Sequence, residues 1–172
     1  LVARDGLTLH DLPQEASVGT GSPRRAAQLL AVRPDLTIVD IRGNVDTRLG
    51  RVKGLGRYAK NGGKEDLDAV VLAASGLARL GHSGAVTEFL DPSVVLPAPA
   101  QGALAVECRT ADSRHGKLAK ALARIDDRRT RLAATAERAV LSHLEAGCAA
   151  PIGALAQLKP VSGSSPQVLT LD

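Results

Sequence analysis

The sequence of 172 residues has almost no aromatic side chains, with one Tyr, one Phe and no Trp, and it also lacks Met. Proteins that bind single-stranded nucleic acid usually stack bases on aromatic rings, and only Tyr58 and Phe89 are available for that here. We therefore expect no nucleic acid partner and a core of Ala, Val, Leu and Ile. The net charge of +4 favours small polyanions as ligands instead.

Cysteine is equally scarce, and the pair Cys108 and Cys148 excludes a disulfide framework. The two lie far apart, and the four histidines show no ligand spacing, so we expect no metal site. No stretch resembles a signal peptide or a transmembrane span, which leads us to expect a cytoplasmic protein with no membrane partner. Because the chain begins without Met and both ends lie in predicted strands, we expect it to be part of a longer protein.

The most informative stretch is Gly19-Thr-Gly-Ser-Pro-Arg-Arg25, which we call the anion loop. Ser22 is a favoured N-cap, Pro23 suits the first position of a helix, and an apolar run continues to Val32. A helix N-terminus offers N–H groups and partial positive charge, and guanidiniums bind carboxylates or phosphates in a bidentate way. The loop therefore predicts an anion site, although a capped surface helix with two solvated arginines is the alternative.

Three predicted strands, each followed by a helix, indicate a doubly wound α/β sheet. Ligands of such sheets bind beyond the carboxyl ends of the strands. We therefore expect the segments that follow the three strands to form one basic rim. The strand and helix pairs are 16–18 with 23–32, 36–41 with 45–52, and 68–73 with 74–80. The rim arginines are Arg24, Arg25, Arg42, Arg48 and Arg79.

The second half of the chain is predicted to be less regular. The segment 86–99 is rich in proline and is interpreted as an extended crossing and a hinge. A strand is predicted over 103–108, helices over 112–123 and 130–144, and a further strand over 152–158. In the first half of the chain, the glycine-rich basic segment 53–64, which lies between the predicted helix over 45–52 and the predicted strand over 68–73, is predicted to be a mobile loop.

The two cysteines lie in different settings. Cys108 falls within an apolar predicted strand, which indicates a small buried hydrophobic residue. Cys148 follows a helix end beside Gly147 and before Pro151, where a reactive loop thiol is plausible. His143 is a candidate base for that thiol, but it lies one turn back on the helix and can equally face solvent.

Seven motifs are spread along the chain: Val18-Gly-Thr-Gly-Ser-Pro-Arg-Arg25, Arg42-Gly-Asn-Val-Asp-Thr-Arg-Leu49, Gly76-Leu-Ala-Arg-Leu80, Leu96-Pro-Ala-Pro-Ala-Gln-Gly-Ala103, Glu107-Cys-Arg109, Thr135-Ala-Glu-Arg138 and Leu144-Glu-Ala-Gly-Cys-Ala-Ala-Pro-Ile-Gly153. Through them the chain resembles the porphobilinogen deaminase (hydroxymethylbilane synthase) family over nearly its whole length. Their order along the chain matches the family pattern. Together they are far more specific than any one of them.

The resemblance implies a transferase of tetrapyrrole (haem) biosynthesis. It implies that the enzyme joins four porphobilinogen units head to tail into hydroxymethylbilane and releases ammonia at each addition. It implies a dipyrromethane cofactor attached by a thioether to Cys148. Its implied cofactor-binding residues are Thr20, Ser22, Arg24, Arg25, Arg42, Gly43 and Asn44. Its implied contacts to substrate and the growing polypyrrole chain are Arg48, Arg79 and Gln101.

The resemblance also implies a domain plan. Residues 1–98 correspond to a second, periplasmic-binding-protein-like domain, residues 99–124 return to a first domain, and residues 125–172 begin a small α+β third domain. The family's catalytic aspartate belongs to the first-domain portion that these residues lack. No catalytic residue is therefore expected within 1–172, which alone should be inactive, whereas the full-length protein is expected to be a monomer.

Two departures from the family pattern stand out: the loop 51–66 is longer and more basic, and Gly21 replaces a common serine. The Gly21 change is expected to remove one hydrogen bond to the cofactor. The acids Asp46 and Asp68 are interpreted as a helix-start and a strand-edge residue. The alternative function is a non-catalytic anion-binding module of a periplasmic-binding-protein-like receptor or regulator, whose anion loops look alike.

Overall fold

A computed structural model describes residues 1–146, 150–160 and 167–171, with backbone only for 159–160 and 167–171. These residues form two compact units. The first comprises Leu1–Leu96 with residues 150–151, and the second comprises the other described residues from Pro97 onward. The three-part domain plan stays a prediction.

The first unit is built on a four-stranded mixed sheet. Its strands are β1 (Val2–Ala3), β2 (Ser17–Gly19), β3 (Thr37–Val39) and β4 (Ala69–Val70), in the order β1-β4-β2-β3. β2 pairs in parallel with β3 and β4, whereas β1 is antiparallel to β4. The strands predicted over 36–41 and 68–73 are shorter in the structure. Their flanking apolar residues, such as Ile41 and Val71, are buried without joining the ladder, and periodicity does not distinguish these two situations.

Three helices accompany the sheet: α1 (Pro23–Val32), α2 (Val45–Leu49) and α3 (Ala74–Arg79). α3 is terminated as predicted by Gly81, two residues beyond its last residue; Gly81 has φ +73°, and the His82 N–H donates to the Leu77 carbonyl at 2.8 Å. This is the Schellman arrangement that favours glycine. α2 is shorter than the predicted helix over 45–52.

The helices cover both faces of the sheet. Ala69 and Val71 share one buried cluster with Leu29 of α1. Val70, which points the opposite way, shares the other cluster with Leu49 of α2 and Leu77 of α3. This alternation of strand residues between two cores is that of a sheet buried on both sides, so the predicted α/β class is confirmed.

Asp68, just before β4, binds the elements around it. Its carboxylate accepts hydrogen bonds from Arg4 Nε at 2.9 Å, Lys53 Nζ at 2.9 Å and the Ser17 N–H and Oγ–H at 2.9 and 2.8 Å. Burial alone would raise the pKa of this carboxyl, but the hydrogen bonds from Lys53, Ser17 and Arg4 lower it overall. The lysine comes from the loop 51–66, so one end of that loop is fixed to the sheet.

We expect Asp68→Asn to destabilise the full-length protein by about 2–3 kcal/mol at pH 7, because charged hydrogen bonds to a buried acceptor are lost. The lowered pKa in the folded state means that the carboxylate stabilises the fold above the unfolded pKa of about 4. That stabilisation is lost as the pH falls through the folded pKa. Thermal unfolding at pH 7 and pH 3 should show the difference between wild type and variant shrinking at pH 3.

Asp66→Asn is the matched control for this prediction. Asp66 pairs with Arg51 at 2.7 Å near the surface, where ion pairs contribute at most about 1 kcal/mol. Equal destabilisation by the two variants would contradict the prediction.

The second unit combines helices with a small sheet. It contains α4 (Thr110–Ser113), α5 (Gly116–Ile125), α6 (Arg128–His143) and an antiparallel pair, β5 (Ala156–Pro160) and β6 (Gln167–Leu171). The helix predicted over 112–123 is interrupted at His115, whose backbone is extended, and at Gly116, with φ +91°. The strand predicted over 152–158 begins only at Ala156. In the ranges that the structure describes, no helix is long and apolar enough to span a membrane.

The predicted strand over 103–108 is absent from the structure. Leu104 and Val106 are 81% and 60% exposed, and Cys108 is only half-buried, so its interpretation as a core residue is wrong here. The apolar pattern was that of a strand, but a strand needs a neighbour to satisfy its backbone. None of the described strands pairs with this segment.

Candidate anion-binding site

The anion loop joins β2 to α1 at the carboxyl edge of the sheet, and hydroxyl groups fix its backbone. The Ser22 Oγ accepts the Arg25 N–H at 3.4 Å, which confirms the predicted N-cap. The Thr20 Oγ1 accepts the Ser22 N–H at 3.2 Å, and the Thr20 N–H donates to the Val39 carbonyl at 3.0 Å. The start of α1 is therefore held against β3, at the edge where ligands of such sheets bind.

Arg24 lies beneath this surface. Its residue is 6% exposed, and its guanidinium donates to the Leu96 carbonyl. Gln28, one turn further along α1, also binds Leu96. Its Nε2 donates to the Leu96 carbonyl at 3.3 Å, and its Oε1 accepts the Leu96 N–H at 2.7 Å. The alternative of two solvated arginines is therefore wrong for Arg24.

Arg25 and Arg48 bring like charges together. The Arg25 Nη1 donates to the Val71 carbonyl at 3.3 Å, beside the end of β4. Burial lowers the pKa of Arg25, and repulsion from Arg48 lowers it further. Arg24 responds in the same way, to burial and then to Arg25. A bound anion would relieve this repulsion, so the three guanidiniums form a cationic cluster suited to a carboxylate or phosphate.

The segment after β3 contributes the next part of the rim. Asn44 caps α2, with its Oδ1 accepting the Thr47 N–H and Oγ1–H, each at 2.8 Å. Gly43, with φ +107°, lets the chain turn into that cap, and its carbonyl accepts from the Arg48 Nε at 2.9 Å. Arg42 is exposed and lies 3.4 Å from Asp40. Gly43 and Asn44 thus orient Arg48, while Arg42 faces solvent.

Arg79 is exposed in the last turn of α3, the helix that begins just beyond β4. The parallel pairing of β2, β3 and β4 places the ends of all three strands at one edge, as the sequence predicted. The structure thus brings Arg25 within electrostatic range of both Arg24 and Arg48. The roles of Arg42 and Arg79 toward a ligand stay predictions.

The remaining predicted site residues belong to the second half of the chain. Gln101 is exposed, and its Oε1 accepts the Ala98 N–H at 3.2 Å. Cys148 lies outside the described residues, as do its two neighbours. His143, the last residue of α6, is exposed. In the parts of the chain that the structure describes, no cluster of three or more His, Cys, Asp or Glu side chains could hold a metal ion.

Sequence reasoning missed the buried carboxylate of Glu137. The signal was present, because residues three and four positions away on both sides, Ala133, Ala134, Val140 and Leu141, are all apolar. A charged residue in the middle of an apolar helix face is one that must find buried partners.

Gly21 has a steric reason that the sequence did not reveal. A Cβ at this position would lie 2.6 Å from the Ile41 carbonyl oxygen, which is backbone and belongs to the stretch that follows β3. The expectation that Gly21 merely removes a hydrogen bond is therefore incomplete. In this chain the glycine permits β2 and β3 to approach at the rim.

We expect Gly21→Ser to destabilise the full-length protein by about 1–3 kcal/mol and to weaken anion binding, because the loop must move away from Ile41. Calorimetry of phosphate binding and thermal unfolding measure the two effects. Gly84→Ser is the control, since a Cβ there meets nothing within 4 Å. Wild-type stability and phosphate affinity in the Gly21 variant would contradict the prediction, since the loop would then accommodate the added side chain without destabilising the fold.

The donor set suits a ligand that carries several carboxylates. Hydroxyl, amide and guanidinium groups follow β2 and β3 at one sheet edge, and the first unit is an α/β domain whose three parallel strands end at that edge. A small unit of helices and an antiparallel strand pair follows it in the chain.

Comparison with known proteins shows the family to which this α/β protein belongs. The family model described as porphobilinogen deaminase, dipyromethane cofactor binding domain, matches residues 1–117, and the porphobilinogen deaminase C-terminal domain matches residues 131–172. The porphobilinogen deaminase of Cutibacterium acnes is 99% identical over 172 residues, which are 100% of this chain and 52% of that protein. That of Micrococcus luteus is 53% identical over 98% of this chain and 49% of its own length.

The chain belongs to the porphobilinogen deaminase family. It spans about half the length of the curated relatives it matches, including the porphobilinogen deaminase of Leifsonia xyli subsp. xyli, which is 60% identical over 92% of this chain and 45% of its own length. The resemblance first seen in the sequence motifs is confirmed.

Proposed function

We propose that the full-length protein containing these residues is a transferase that joins four porphobilinogen molecules head to tail into hydroxymethylbilane, with release of ammonia, in haem biosynthesis. The observation that carries this proposal is the cationic cluster of Arg24, Arg25 and Arg48 at the sheet edge, where Arg25 donates to the Val71 carbonyl and Arg48 to the Gly43 carbonyl. Porphobilinogen bears acetate and propionate groups, so the negative charge of the growing chain rises with each addition. Charge-assisted hydrogen bonds from guanidiniums are the strong contacts for such groups.

The same residues fit a dipyrromethane cofactor, whose carboxylates need several cationic and hydroxyl donors. We infer that Thr20, Ser22, Arg24, Arg25, Arg42, Gly43 and Asn44 line its binding site and that Arg48, Arg79 and Gln101 contact the substrate or the growing chain. The cofactor would supply the primer to which the pyrrole units are added. Cys148 is proposed as its attachment residue.

Within this site, the protein's own groups have separable tasks. The hydroxyls of Thr20 and Ser22 fix the loop, and the Asn44 cap and the Gly43 carbonyl orient Arg48. Arg25 and Arg48 then present positive charge in a fixed arrangement, so less ordering is needed when an anion binds. Arg42, being exposed, is free to follow a chain that lengthens.

The domain plan is part of the proposal. We infer that residues 1–98 form a periplasmic-binding-protein-like domain, that 99–124 return to a first domain and that 125–172 begin the third. We further propose a cytoplasmic monomer whose partners are porphobilinogen and the polypyrrole chain, with no nucleic acid or membrane partner. The catalytic aspartate is placed outside residues 1–172, so this chain alone is expected to be inactive.

The test is the reaction of the full-length protein with porphobilinogen. We expect four porphobilinogen molecules and one water molecule consumed and four ammonia molecules released per hydroxymethylbilane. Treatment of the cofactor-free protein with a thiol-blocking reagent should abolish turnover. Reversible binding of porphobilinogen without ammonia release, unaffected by thiol blocking, would favour the anion-binding receptor or regulator instead.

A further inference from the structure

Glu137 is a buried carboxylate in the middle of α6, with 6% of the residue exposed. Its Oε2 accepts the Ala100 N–H at 2.5 Å, and its Oε1 accepts the Ala156 N–H at 2.8 Å. A carboxylate is costly to bury, and hydrogen bonds from both amides offset that cost. The two amides belong to segments far apart in the sequence, so one side chain joins both to α6.

The first amide belongs to the tight turn Ala98–Gln101. The Gln101 N–H donates to the Ala98 carbonyl at 2.9 Å, Pro99 occupies the second position, and Ala100 has φ +62°, as in a type II turn. Glycine is favoured at that third position, and an alanine there is strained. The bond from its N–H to Glu137 therefore helps to hold the turn that carries Gln101.

The second amide belongs to the first residue of β5, Ala156. Residues 144–155 connect α6 to β5, and Cys148 is one of them. Glu137 lies on α6, which precedes this connection, and it binds Ala156, the residue that follows the connection. The same carboxylate thus fixes the first residue of β5 and the Gln101 turn relative to one helix.

We propose that Glu137 is a positioning residue that holds the Gln101 turn and Ala156, the first residue of β5, in a fixed relation to α6. This inference rests on the proposed function, in which Gln101 contacts the substrate and Cys148 carries the cofactor. Glu137 acts through the backbone of Ala100 and Ala156, and small misplacements of reacting groups are known to have large effects on rate.

The test compares Glu137→Gln and Glu137→Ala in the full-length protein. Cofactor loading of the apo-protein is followed by intact mass, and the kcat and KM for porphobilinogen are measured on the loaded fraction. Gln keeps one oxygen acceptor but directs an NH₂ group toward the other amide. We expect loading to slow about 10-fold with Gln and about 100-fold with Ala, with a rise in the KM for porphobilinogen.

Asp127→Ala is the matched control, because Asp127 caps the same helix through the Thr130 N–H at 2.7 Å and touches neither amide. It destabilises α6 without moving the turn or β5, so its loading rate and KM should stay at wild-type values. The inference would be overturned if both Glu137 variants showed the loading rate and KM of the wild type. It would also be overturned if Asp127→Ala, at a melting temperature similar to that of the Glu137 variants, showed defects as large as theirs. Should Glu137→Ala not fold, the near-isosteric Gln variant decides between these outcomes.

The two failures are distinguishable. A wild-type protein that gains no dipyrromethane mass and releases no ammonia would contradict the proposed function. A wild type that loads and turns over normally, together with unimpaired Glu137 variants, would contradict only the positioning role.

Discussion

Cys148→Ser in the full-length protein is expected to lose the mass of two pyrrole units and to lower turnover at least about 10³-fold. The physical reason is that a tether converts each addition to the chain into a step within one molecule, and effective concentrations of this kind are large. Serine has nearly the same size as cysteine but a far less nucleophilic group at neutral pH, so it should not form the link. Intact mass and the rate of hydroxymethylbilane formation measure the two effects.

Cys108→Ser is the matched control, since these are the two cysteines of the chain. Cys108 is half-buried in a segment without regular structure, and its replacement should leave both the added mass and the turnover unchanged. Retained added mass in Cys148→Ser, or its loss in Cys108→Ser, would show that the cofactor is attached elsewhere.

Arg42→Ala is expected to lower kcat/KM for porphobilinogen about 10- to 100-fold and to stall elongation, with the melting temperature unchanged. Arg42 is exposed and pairs only loosely with Asp40, so its removal should leave the fold intact. A charge-assisted hydrogen bond to each new carboxylate would be lost, and its typical contribution of about 1.5–3 kcal/mol sets the expected size. Mass spectrometry should then show enzyme carrying partly extended chains.

Two variants sharpen this prediction. Arg42→Lys keeps the charge but not the bidentate geometry, and it should recover part of the activity. Arg57→Ala removes another exposed arginine of the same unit, from the basic loop, and should leave elongation unchanged. Full activity in Arg42→Ala, or an equal defect in Arg57→Ala, would contradict a specific role for Arg42.

Local sequence was sufficient where a structure depends on neighbours along the chain. The Ser22 cap with Pro23 at the first helical position, the bounds of α1 and the glycine that ends α3 all follow from interactions within a few residues. The convergence of three loops at one edge also followed, because parallel strands joined by helices leave no other arrangement of their carboxyl ends.

Strand bounds were less predictable, since a strand exists only through its partner. The stretches 36–41 and 103–108 have comparable apolar content. The first contains a short strand beside β2, whereas the second forms no described strand and exposes Leu104 and Val106. Pairing is a tertiary property, and side-chain pattern alone does not show whether a neighbour is present.

The sequence by itself determined the family, the α/β character of the first unit and the Ser22 cap of α1, because these depend on local patterns and their order. Only the tertiary structure decided that Arg24 is buried against Leu96 while Arg42 remains exposed. It also decided that Gly21 is required by the Ile41 carbonyl and that Glu137 joins two distant amides. Each of these depends on groups that are distant in the chain and meet only when the sheet and helices pack.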